Sequence, residues 1–523
     1  MKKLFLIGLI SLLAIPAFTQ SLPRSTPEAE GISSEAIQQY IEKIDPKRHE
    51  LHSYMLIRHG KVVSEAWWKP YAADKVHSMY SVSKSWTSTA IGFAVAEKKL
   101  SVQDKVISFF PEYADLKDKP FMQDLRVQDL LTMSVGHDKE PLRSVIVMQP
   151  DWIRGFLNHP IVAKPGTKFL YNTLATYMLS AIIQKVTGET TLAYLKPRLL
   201  DPLHITGIDW ESDQKGINVG GWGIRVKTED MAKLGLLYLN KGKFEGKQIL
   251  PAAWVEEATI KHIDQEPDAT AEKRATGQYA DWIQGYGYQF WRSRHGAFRG
   301  DGAYGQYILM MPEQDAVLII TSESQDLPDD LNQVWQNLLP AFQSKALAPN
   351  PKALTALKQF NASRNIEAPI SSIANQTLSK SIALEKNQFD FARMQIQTAG
   401  DAAALMITTK DSTQHTFKLG FRTWGIGKSN LVGPYMLRAA RVDLAKKAPF
   451  DYAGSYRILE DQSIEITLRY FESPHHWTFT WKPDVIEVVN SFEPSTKITI
   501  KKCRDATGGF PRLKPRVFNN PRF

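Results

Sequence analysis

The chain has 523 residues, of which 43% are hydrophobic and 23% charged, and its formal net charge is +9. This composition excludes a disordered, collagen-like or low-complexity protein, and the length predicts two or three domains. The single cysteine, Cys503, excludes an intramolecular disulfide and a cysteine-rich zinc site. Most of the excess positive charge lies in Lys2, Lys3 and residues 501–523. The rest of the chain is close to neutral, so we do not expect nucleic acid as a partner.

Residues 1–20 are typical of a secretory signal peptide. Lys2 and Lys3 precede an apolar run over residues 4–18, and small and polar residues follow it. This order predicts export to the periplasm or the medium, with cleavage near residues 19–21; a buried N-terminal strand or helix is the alternative. No cysteine follows the run and no other run is long enough to span a bilayer, so we expect neither a lipid anchor nor a membrane span.

Residues 22–343 mix helical and strand patterns. At each end of this region, two short apolar runs are split by a polar turn, which predicts a β-hairpin. Segments between the hairpins repeat apolar residues at three- and four-residue steps and predict helices. We therefore expect an α/β sandwich whose terminal strands share one sheet. The predicted strands are 54–57, 62–66, 307–311 and 316–321, and the predicted helices are 84–99, 173–186 and 228–239.

The composition changes beyond this region. Residues 346–369 are rich in Ala, Pro, Asn, Ser and Lys, as in a linker or a loosely docked helix. Segments of alternating polarity follow and predict a separate, mainly antiparallel β domain, in whose residues we find no catalytic pattern. The expected divisions are a signal peptide (1–20), an α/β domain (21–345), a linker (346–376) and a β-rich accessory domain (377–523). The predicted strands of the last are 394–398, 404–408, 415–419, 464–470, 477–481, 485–489 and 497–501.

Several common catalytic motifs are absent from the sequence. It contains no HExxH, no phosphate-binding loop and no GxSxG nucleophile elbow. One GxGxxG occurs at residues 300–305, but an apolar β-type run and a proline turn follow it, whereas a dinucleotide site requires a helix there. His77, His137 and His295 are not accompanied by clustered carboxylates. We therefore expect no metal and no organic cofactor.

Ser81 and Lys84 form a Ser-x-x-Lys motif at the start of a predicted helix. Residues three apart share a helix face, so the lysine lies over the serine hydroxyl. A serine becomes a nucleophile when a neighbouring base takes its proton, and a buried lysine with a lowered pKa can be that base. A second copy, Ser212 to Lys215, has no apolar periodicity behind it. The alternative interpretation of Ser81 is a capping serine beside a surface lysine.

Two further segments favour a catalytic interpretation. Tyr171 lies between the turn Pro165-Gly166 and the helix predicted from Thr173, where a phenol can reach a cleft and relay a proton. The glycines of residues 300–305 allow the backbone to approach a ligand and to offer a main-chain N–H to an oxyanion. The alternatives are a core tyrosine and a bulged strand.

Taken in this order, the three motifs resemble the serine hydrolases of the penicillin-binding-protein and class C β-lactamase superfamily. The resemblance covers roughly residues 27–342, and segments 220–223 and 228–232 add to it. It is greatest for the esterase and amide-hydrolase branch, which includes 6-aminohexanoate-dimer hydrolases. The fold that it implies is an α/β (α+β) β-lactamase/transpeptidase-like sandwich with an antiparallel sheet and a helical subdomain.

The resemblance also implies roles for individual residues. Ser81 would be the nucleophile that accepts the acyl group, Lys84 its general base, and Tyr171 the proton relay to the leaving group. The N–H groups of Ser81 and Ala303 would form the oxyanion hole. The residues that it places around the substrate are Thr173, Trp222, Asp301, Gly302 and Gln306.

Two departures from the family pattern bear on the substrate. The second motif is usually Tyr-x-Asn, whereas here Asn172 is one place early or Thr173 replaces the asparagine. The third motif of true β-lactamases begins with Lys or His, then Thr or Ser, then Gly, but here the three positions are Gly300, Asp301 and Gly302. The cation that would anchor a substrate carboxylate is missing, which argues against efficient β-lactam hydrolysis and D-Ala-D-Ala carboxypeptidase action. An acid there would suit a substrate amine, or a neutral ester or amide.

The leading hypothesis is an exported hydrolase that acts on a small-molecule or peptide ester or amide. One alternative is a D-amino-acid-type peptidase or weak β-lactamase. The other is a non-catalytic protein that binds or senses cell-wall fragments on the same fold. Four aromatic side chains are candidates for an apolar acyl pocket, with an aromatic core as the alternative. They are Trp222, Tyr286, Tyr288 and Trp291.

Overall fold

The computed structural model describes residues 21–44, 46–493 and 495–501. The predicted signal peptide and most of the basic C-terminal stretch, with Cys503, lie outside the described residues. The chain divides into two compact units. Unit 1 comprises the residues up to Glu367 together with Asn430–Tyr452 and Arg469–His476, and unit 2 comprises Ala368–Ser429, Ala453–Leu468 and the residues from Trp477.

A six-stranded antiparallel sheet forms the centre of unit 1. The strands of the unit are β1 (Leu51–Arg58), β2 (Lys61–Trp67), β3 (His77–Ser78), β4 (Asp209–Trp210), β5 (Ile224–Val226), β6 (Lys243–Phe244), β7 (Lys247–Gln248), β8 (Trp291–Arg292), β9 (Phe298–Gly302), β10 (Gln306–Met311) and β11 (Ala316–Ser322). The sheet has the order β2-β1-β11-β10-β9-β8, so both predicted hairpins exist and the terminal strands share one sheet, as expected. Strands β3, β5 and β4 form a small second sheet.

The turn between β1 and β2 shows why this hairpin is predictable. Arg58 pairs with Lys61 across a two-residue loop. The loop residues His59 and Gly60 have φ angles of 49° and 74°, and left-handed residues of this kind match the twist of the flanking strands.

Helices cover both faces of the central sheet. Alternate residues of a strand point to opposite faces of the sheet. The side chains of Met55 and Ile57 therefore join the hydrophobic core on one face, and those of Tyr54 and Leu56 join the core on the other face. The result is the predicted helix–sheet–helix sandwich. The helices are α1 (Ser34–Lys43), α2 (Pro46–His49), α3 (Ser83–Ala96), α4 (Val127–Leu131), α5 (Leu142–Met148), α6 (Trp152–Asn158), α7 (Thr173–Thr187), α8 (Thr191–Leu195), α9 (Thr228–Leu239), α10 (Ala252–Thr259), α11 (Ala271–Thr276), α12 (Leu327–Gln333) and α13 (Pro351–Ala362).

Helix α3 is buried on every side, and α4, α6 and α8 pack against α7 to form the helical subdomain. Small residues make the burial of α3 feasible: at Gly92 an added Cβ would lie 2.5 Å from the Trp254 indole. Because it is enclosed, α3 is a rigid support for the residues at its N-terminus. Within the described residues, no helix combines the length and the apolar character that crossing a membrane requires.

The C-terminal part of the chain forms a ten-stranded sheet. The strands are β12 (Ser379–Ala383), β13 (Phe391–Ala399), β14 (Ala402–Thr409), β15 (Gln414–Phe421), β16 (Gly425–Ser429), β17 (Phe450–Ile458), β18 (Ile464–Tyr470), β19 (His476–Trp481), β20 (Val485–Val489) and β21 (Thr496–Thr499). All seven predicted strands are present, while β12, β16 and β17 were not predicted. The predicted linker, residues 346–376, contains α13, which buries Ala353 and Leu357.

Candidate active site

Ser81 and Lys84 lie side by side at the start of α3. Ser81 is in a short 3₁₀ turn, Tyr80–Val82, that runs directly into the helix. The turn and the first helical residues place Lys84 Nζ 3.0 Å from Ser81 Oγ. The relationship predicted from the i, i+3 spacing is therefore present.

The environment of Lys84 favours its neutral form. The side chain is 1% exposed, and burial lowers its pKa to about 7, although the negative charges of Glu140 and Asp301 act in the opposite direction. An amine inside a protein interior loses its hydration, and this penalises the ammonium more than the neutral form. Near neutral pH a large share of Lys84 can thus accept a proton.

Two oxygen atoms orient the Lys84 amine. The Gly221 carbonyl accepts from Nζ at 2.8 Å, and Thr173 Oγ1 lies 3.5 Å from Nζ. A neutral amine has two N–H groups and one lone pair, so donation to these two oxygens directs the lone pair at Ser81 Oγ. Gly221 has no room for a side chain, because an added Cβ would lie 2.7 Å from Thr173.

The structure brings Tyr171 to the same place. Its ring centroid is 4.8 Å from Lys84 Nζ, and the ring stacks on Trp291 at 5.5 Å. Burial raises the pKa of Tyr171 well above its ordinary value, against a smaller opposite effect of its hydrogen bond with Ser81. The phenol therefore keeps its proton at neutral pH and can donate it.

Thr173, and not Asn172, faces Lys84. Asn172 caps α7 by accepting from the Ala175 N–H at 3.2 Å, and its amide contacts His137 Nδ1 at 3.0 Å. Of the two alternatives for the second motif, the structure thus supports replacement of the asparagine by Thr173.

Glycines allow β9 to run along the turn that contains Ser81. A Cβ on Gly302 would lie 2.4 Å from the Met79 carbonyl oxygen, and one on Gly300 would lie 3.1 Å from Ser85 Oγ. These contacts place the end of β9, and Ala303 directly after it, beside the segment that carries Ser81.

Asp301 is not available to a substrate amine, which corrects the expectation drawn from its sequence position. Its carboxylate accepts from Arg299 Nε at 2.9 Å and lies 2.8 Å from Arg299 Nη2. Asp301 is 9% exposed and Arg299 is fully buried, held further by the Asp281 carbonyl and the Ser293 hydroxyl. Burial raises the pKa of Asp301 in spite of the guanidinium. The acid is thus neutralised within its own strand.

Two more predicted pocket residues, Gln306 and Trp222, have buried side chains. Gln306 donates from Nε2 to the carbonyls of Ala303 (3.1 Å), Tyr304 (3.0 Å) and Ser322 (2.7 Å), and so braces the turn after β9. Trp222 packs on Trp152 in the helical core. Both side chains are thus held within the protein interior, and their place around a substrate stays a prediction.

Of the four candidates for an aromatic pocket, Trp291 alone is partly exposed. Tyr286 and Tyr288 are buried, like Trp222. Of the four side chains, Trp291 is therefore the one that solvent reaches. The ring of Tyr171 stacks on Trp291.

Sequence reasoning missed Glu140 and the role of Gly221. The Thr173 N–H donates to Glu140 Oε1 at 2.7 Å, and the exposed Glu140 raises the pKa of Lys84. In the sequence, Glu140 is an acid before a proline, and nothing in its neighbouring residues indicates that it lies near Lys84. Gly221 lies in segment 220–223, which adds to the family resemblance, but only the fold shows that its carbonyl accepts a hydrogen bond from Lys84 Nζ.

Comparison with known proteins agrees with the geometry. The profile of the Beta-lactamase family matches residues 48–341. A 6-aminohexanoate-dimer hydrolase from Paenarthrobacter ureafaciens is 24% identical over 358 residues, which are 64% of this chain and 86% of the relative. An N-acetylmuramyl-L-alanine amidase from Bacillus subtilis is 26% identical over 164 residues, which are 28% of this chain and 36% of that enzyme.

Solved structures are similar as well. An octameric penicillin-binding protein homologue from Pyrococcus abyssi is 19% identical, with a TM-score of 0.46 over 89% of this chain and 99% of that one. The family profile spans more than half of the chain and includes every residue of the candidate site. The chain belongs to the beta-lactamase family and is a serine hydrolase.

Proposed function

We propose that this protein is an exported hydrolase that cleaves an ester or amide bond through an acyl-enzyme on Ser81. The observation that carries the proposal is the lysine amine of Lys84, which lies 3.0 Å from Ser81 Oγ and is oriented by Gly221 O and Thr173 Oγ1. Such a pair is what a serine nucleophile needs in order to lose its proton as it attacks.

Acylation begins when Ser81 Oγ attacks the substrate carbonyl carbon and its proton passes to Lys84. The carbonyl oxygen becomes an oxyanion, to which the N–H groups of Ser81 and Ala303 donate. The bond to the leaving group then breaks, and the leaving alcohol or amine takes a proton from Tyr171, which recovers one from Lys84.

Deacylation reverses these roles with water. The water loses a proton to the Tyr171–Lys84 pair and attacks the acyl carbon, and the ester bond to Ser81 breaks as Oγ regains a proton. The products are a carboxylic acid and the free enzyme.

The third motif favours a substrate that needs no carboxylate anchor. Gly300 stands where related β-lactamases carry a cation, and the one guanidinium beside it, Arg299, is buried against Asp301. Small neutral esters and amides fit these positions, with the acyl group against the partly exposed Trp291. The 6-aminohexanoate-dimer hydrolase, a relative named for an amide substrate, is consistent with this class.

Export is part of the proposal and rests on the pattern of residues 1–20. The described chain begins just after them, with Leu22 buried and Arg24 paired to Glu65 and Glu229. Cleavage on the N-terminal side of Leu22 would leave these contacts in place.

The test is hydrolysis of a chromogenic short-chain ester by the mature protein and by Ser81→Ala. The second Ser-x-x-Lys copy offers a matched control, Ser212→Ala, in which the hydroxyl that is removed accepts from Asn218 Nδ2 at 3.0 Å. We expect activity to vanish in Ser81→Ala and to persist in Ser212→Ala. Equal activity in wild type and Ser81→Ala, or no activity in either, would refute the Ser81 mechanism and favour a binding protein.

A further inference from the structure

Two segments from the C-terminal part of the chain are built into unit 1. They are Asn430–Tyr452 and Arg469–His476. The second segment is hydrogen-bonded just before the nucleophile, since the Ser78 N–H donates to the Glu472 carbonyl at 2.9 Å. The first is anchored by Asp443, whose N–H donates to the Ser212 carbonyl at 3.0 Å. The sequence predicted no catalytic contribution from this part of the chain.

Tyrosines with left-handed backbones flank the proposed oxyanion donors. Tyr80, with a φ of 43°, directly precedes Ser81, and Tyr304, with a φ of 62°, directly follows Ala303. Side chains larger than glycine rarely adopt such a φ, and they keep it only where the surroundings hold them. Something must therefore restrain both tyrosines.

His475 packs against both tyrosine rings. Its ring centroid is 5.6 Å from that of Tyr80 and 4.5 Å from that of Tyr304, the latter in an edge-on arrangement at 89°. The two tyrosine rings are themselves 6.5 Å apart, so the three rings form one cluster. His475 is fully buried, so loss of its ring would leave a cavity between the tyrosines.

An ion-paired network holds His475 in turn. Its Nδ1 lies 3.4 Å from Glu323 Oε1, and its backbone N–H donates to Ser473 Oγ at 3.0 Å. Arg469 lies between two carboxylates, with Nη1 2.7 Å from Glu50 and 3.7 Å from Glu323.

The same network reaches the turn after β9. Glu323 follows the last residue of β11, and the next residue, Ser324, donates its N–H to the Tyr304 carbonyl at 3.1 Å. The carboxylate that contacts His475 and the backbone that holds Tyr304 thus belong to one short segment.

We propose that His475 is a positioning residue for the oxyanion hole. Its ring holds Tyr80 and Tyr304 in their left-handed conformations, and each tyrosine is joined by a peptide bond to one donor residue. The inference rests on the proposed function, because it concerns the donors that stabilise the tetrahedral intermediate. It makes the C-terminal part of the chain necessary for full catalytic rate.

The test compares His475→Ala and His475→Phe in the full mature chain with His476→Ala as the matched control. His476 is the next residue and contacts the same carboxylate, with Nδ1 2.7 Å from Glu323 Oε2, but it is partly exposed. The measurements are kcat and KM for the chromogenic ester, and the Kd of a boronic acid, whose tetrahedral adduct with a serine places an oxygen in the oxyanion hole.

In His475→Ala we expect kcat to fall about 10- to 100-fold, because a donor displaced by about 1 Å loses much of its stabilisation of the transition state. KM should change less than about threefold, and the boronate Kd should rise in parallel with the loss of kcat. His475→Phe should recover most of the rate, since it restores a ring, and His476→Ala should match wild type.

Three outcomes would each overturn the inference. The first is an unchanged kcat in His475→Ala, and the second is a reduced kcat in that variant with an unchanged Kd for the boronic acid. The third is a His475→Phe variant as slow as His475→Ala. A crystal structure of His475→Ala gives a readout that does not depend on activity: we expect Tyr80 or Tyr304 to leave positive φ, and retention of both conformations would also overturn it. Wild-type protein without Ser81-dependent turnover would refute the proposed function itself, so the two failures are distinguishable.

Discussion

The carboxylate of Asp301 is paired with the buried guanidinium of Arg299, through Nε at 2.9 Å and Nη2 at 2.8 Å. The pair flanks Gly300, the position at which the family pattern has a cation. The two charges of this strand are thus paired with each other, which supports the proposal of a substrate that needs no carboxylate anchor.

Arg299→Met should destabilise the protein strongly. Removing one partner of a buried pair leaves an uncompensated charge, and we expect a loss of about 3–5 kcal/mol in the free energy of unfolding. The loss should be smaller at pH 5 than at pH 8, because the abandoned Asp301 carboxyl can take up a proton as pH falls. Urea unfolding at both pH values measures this.

The control is Arg154→Met, which breaks an ion pair with Asp115 whose side chains are 49% and 53% exposed. Water screens an exposed pair of this kind, so its loss should change stability far less than the loss of the buried pair. Equal losses for the two variants would contradict the buried-pair interpretation.

The rate of hydrolysis should rise with pH through about 7. Burial lowers the pKa of Lys84 to about 7, and only the neutral amine can accept the proton of Ser81. Below this pH the lysine is protonated and kcat/KM should fall about tenfold per unit. A profile of kcat/KM between pH 5 and 9 tests the assignment, and a flat profile across this range would contradict it.

Glu140→Gln should shift the acidic limb of that profile to lower pH. The carboxylate raises the pKa of Lys84 by stabilising its ammonium, so its removal lowers that pKa and leaves more neutral lysine at pH 6. Glu256→Gln removes an exposed acid that pairs with Lys241 and should leave the limb in place. A shift to higher pH in Glu140→Gln, or equal profiles for the two variants, would contradict the prediction.

Gly302→Ala should abolish most activity while the protein still folds. The new Cβ would lie 2.4 Å from the Met79 carbonyl oxygen, which forces β9 away from the turn that contains Ser81. We expect kcat to fall about 100-fold or more, since displacement of an oxyanion donor has effects of this size. Circular dichroism would confirm folding.

Gly188→Ala is the control for this substitution. Gly188 has a positive φ, 75°, which Gly302 does not have, and nothing lies within 4 Å of the added Cβ. It should cost about 1 kcal/mol in stability and leave kcat unchanged. A similar loss of kcat in both variants would contradict the assignment of the Gly302→Ala effect to the close approach of β9.

Expression of the full chain in a Gram-negative host should yield a processed protein outside the cytoplasm. The basic start and the apolar run of residues 4–18 predict cleavage near residues 19–21. N-terminal sequencing of the periplasmic fraction measures the site, and a variant without residues 4–18 should remain in the cytoplasm. An unprocessed cytoplasmic chain would contradict the export proposal.

Regular local patterns made much of the fold predictable. The helix expected over residues 228–239 is α9, with the same bounds, and the β1–β2 hairpin follows from a glycine-containing turn between apolar runs. The strands that escaped prediction lack such patterns. β12 is a mostly exposed edge strand, and Gly454 and Ser455 interrupt the alternation of β17.

The sequence by itself determined the adjacency of Ser81 and Lys84, because helix geometry brings residues three apart to one face whatever surrounds them. Only the tertiary structure decided what that pair can do. Burial by segments distant in sequence lowers the pKa of Lys84, and one of these segments supplies the Gly221 carbonyl that accepts from its amine. The Arg299 guanidinium that pairs with Asp301 is also far from Ser81 in the sequence. His475 joins Tyr80 and Tyr304 from still farther along the chain. Desolvation and packing depend on neighbours in space, and a linear sequence does not state which neighbours the fold will supply.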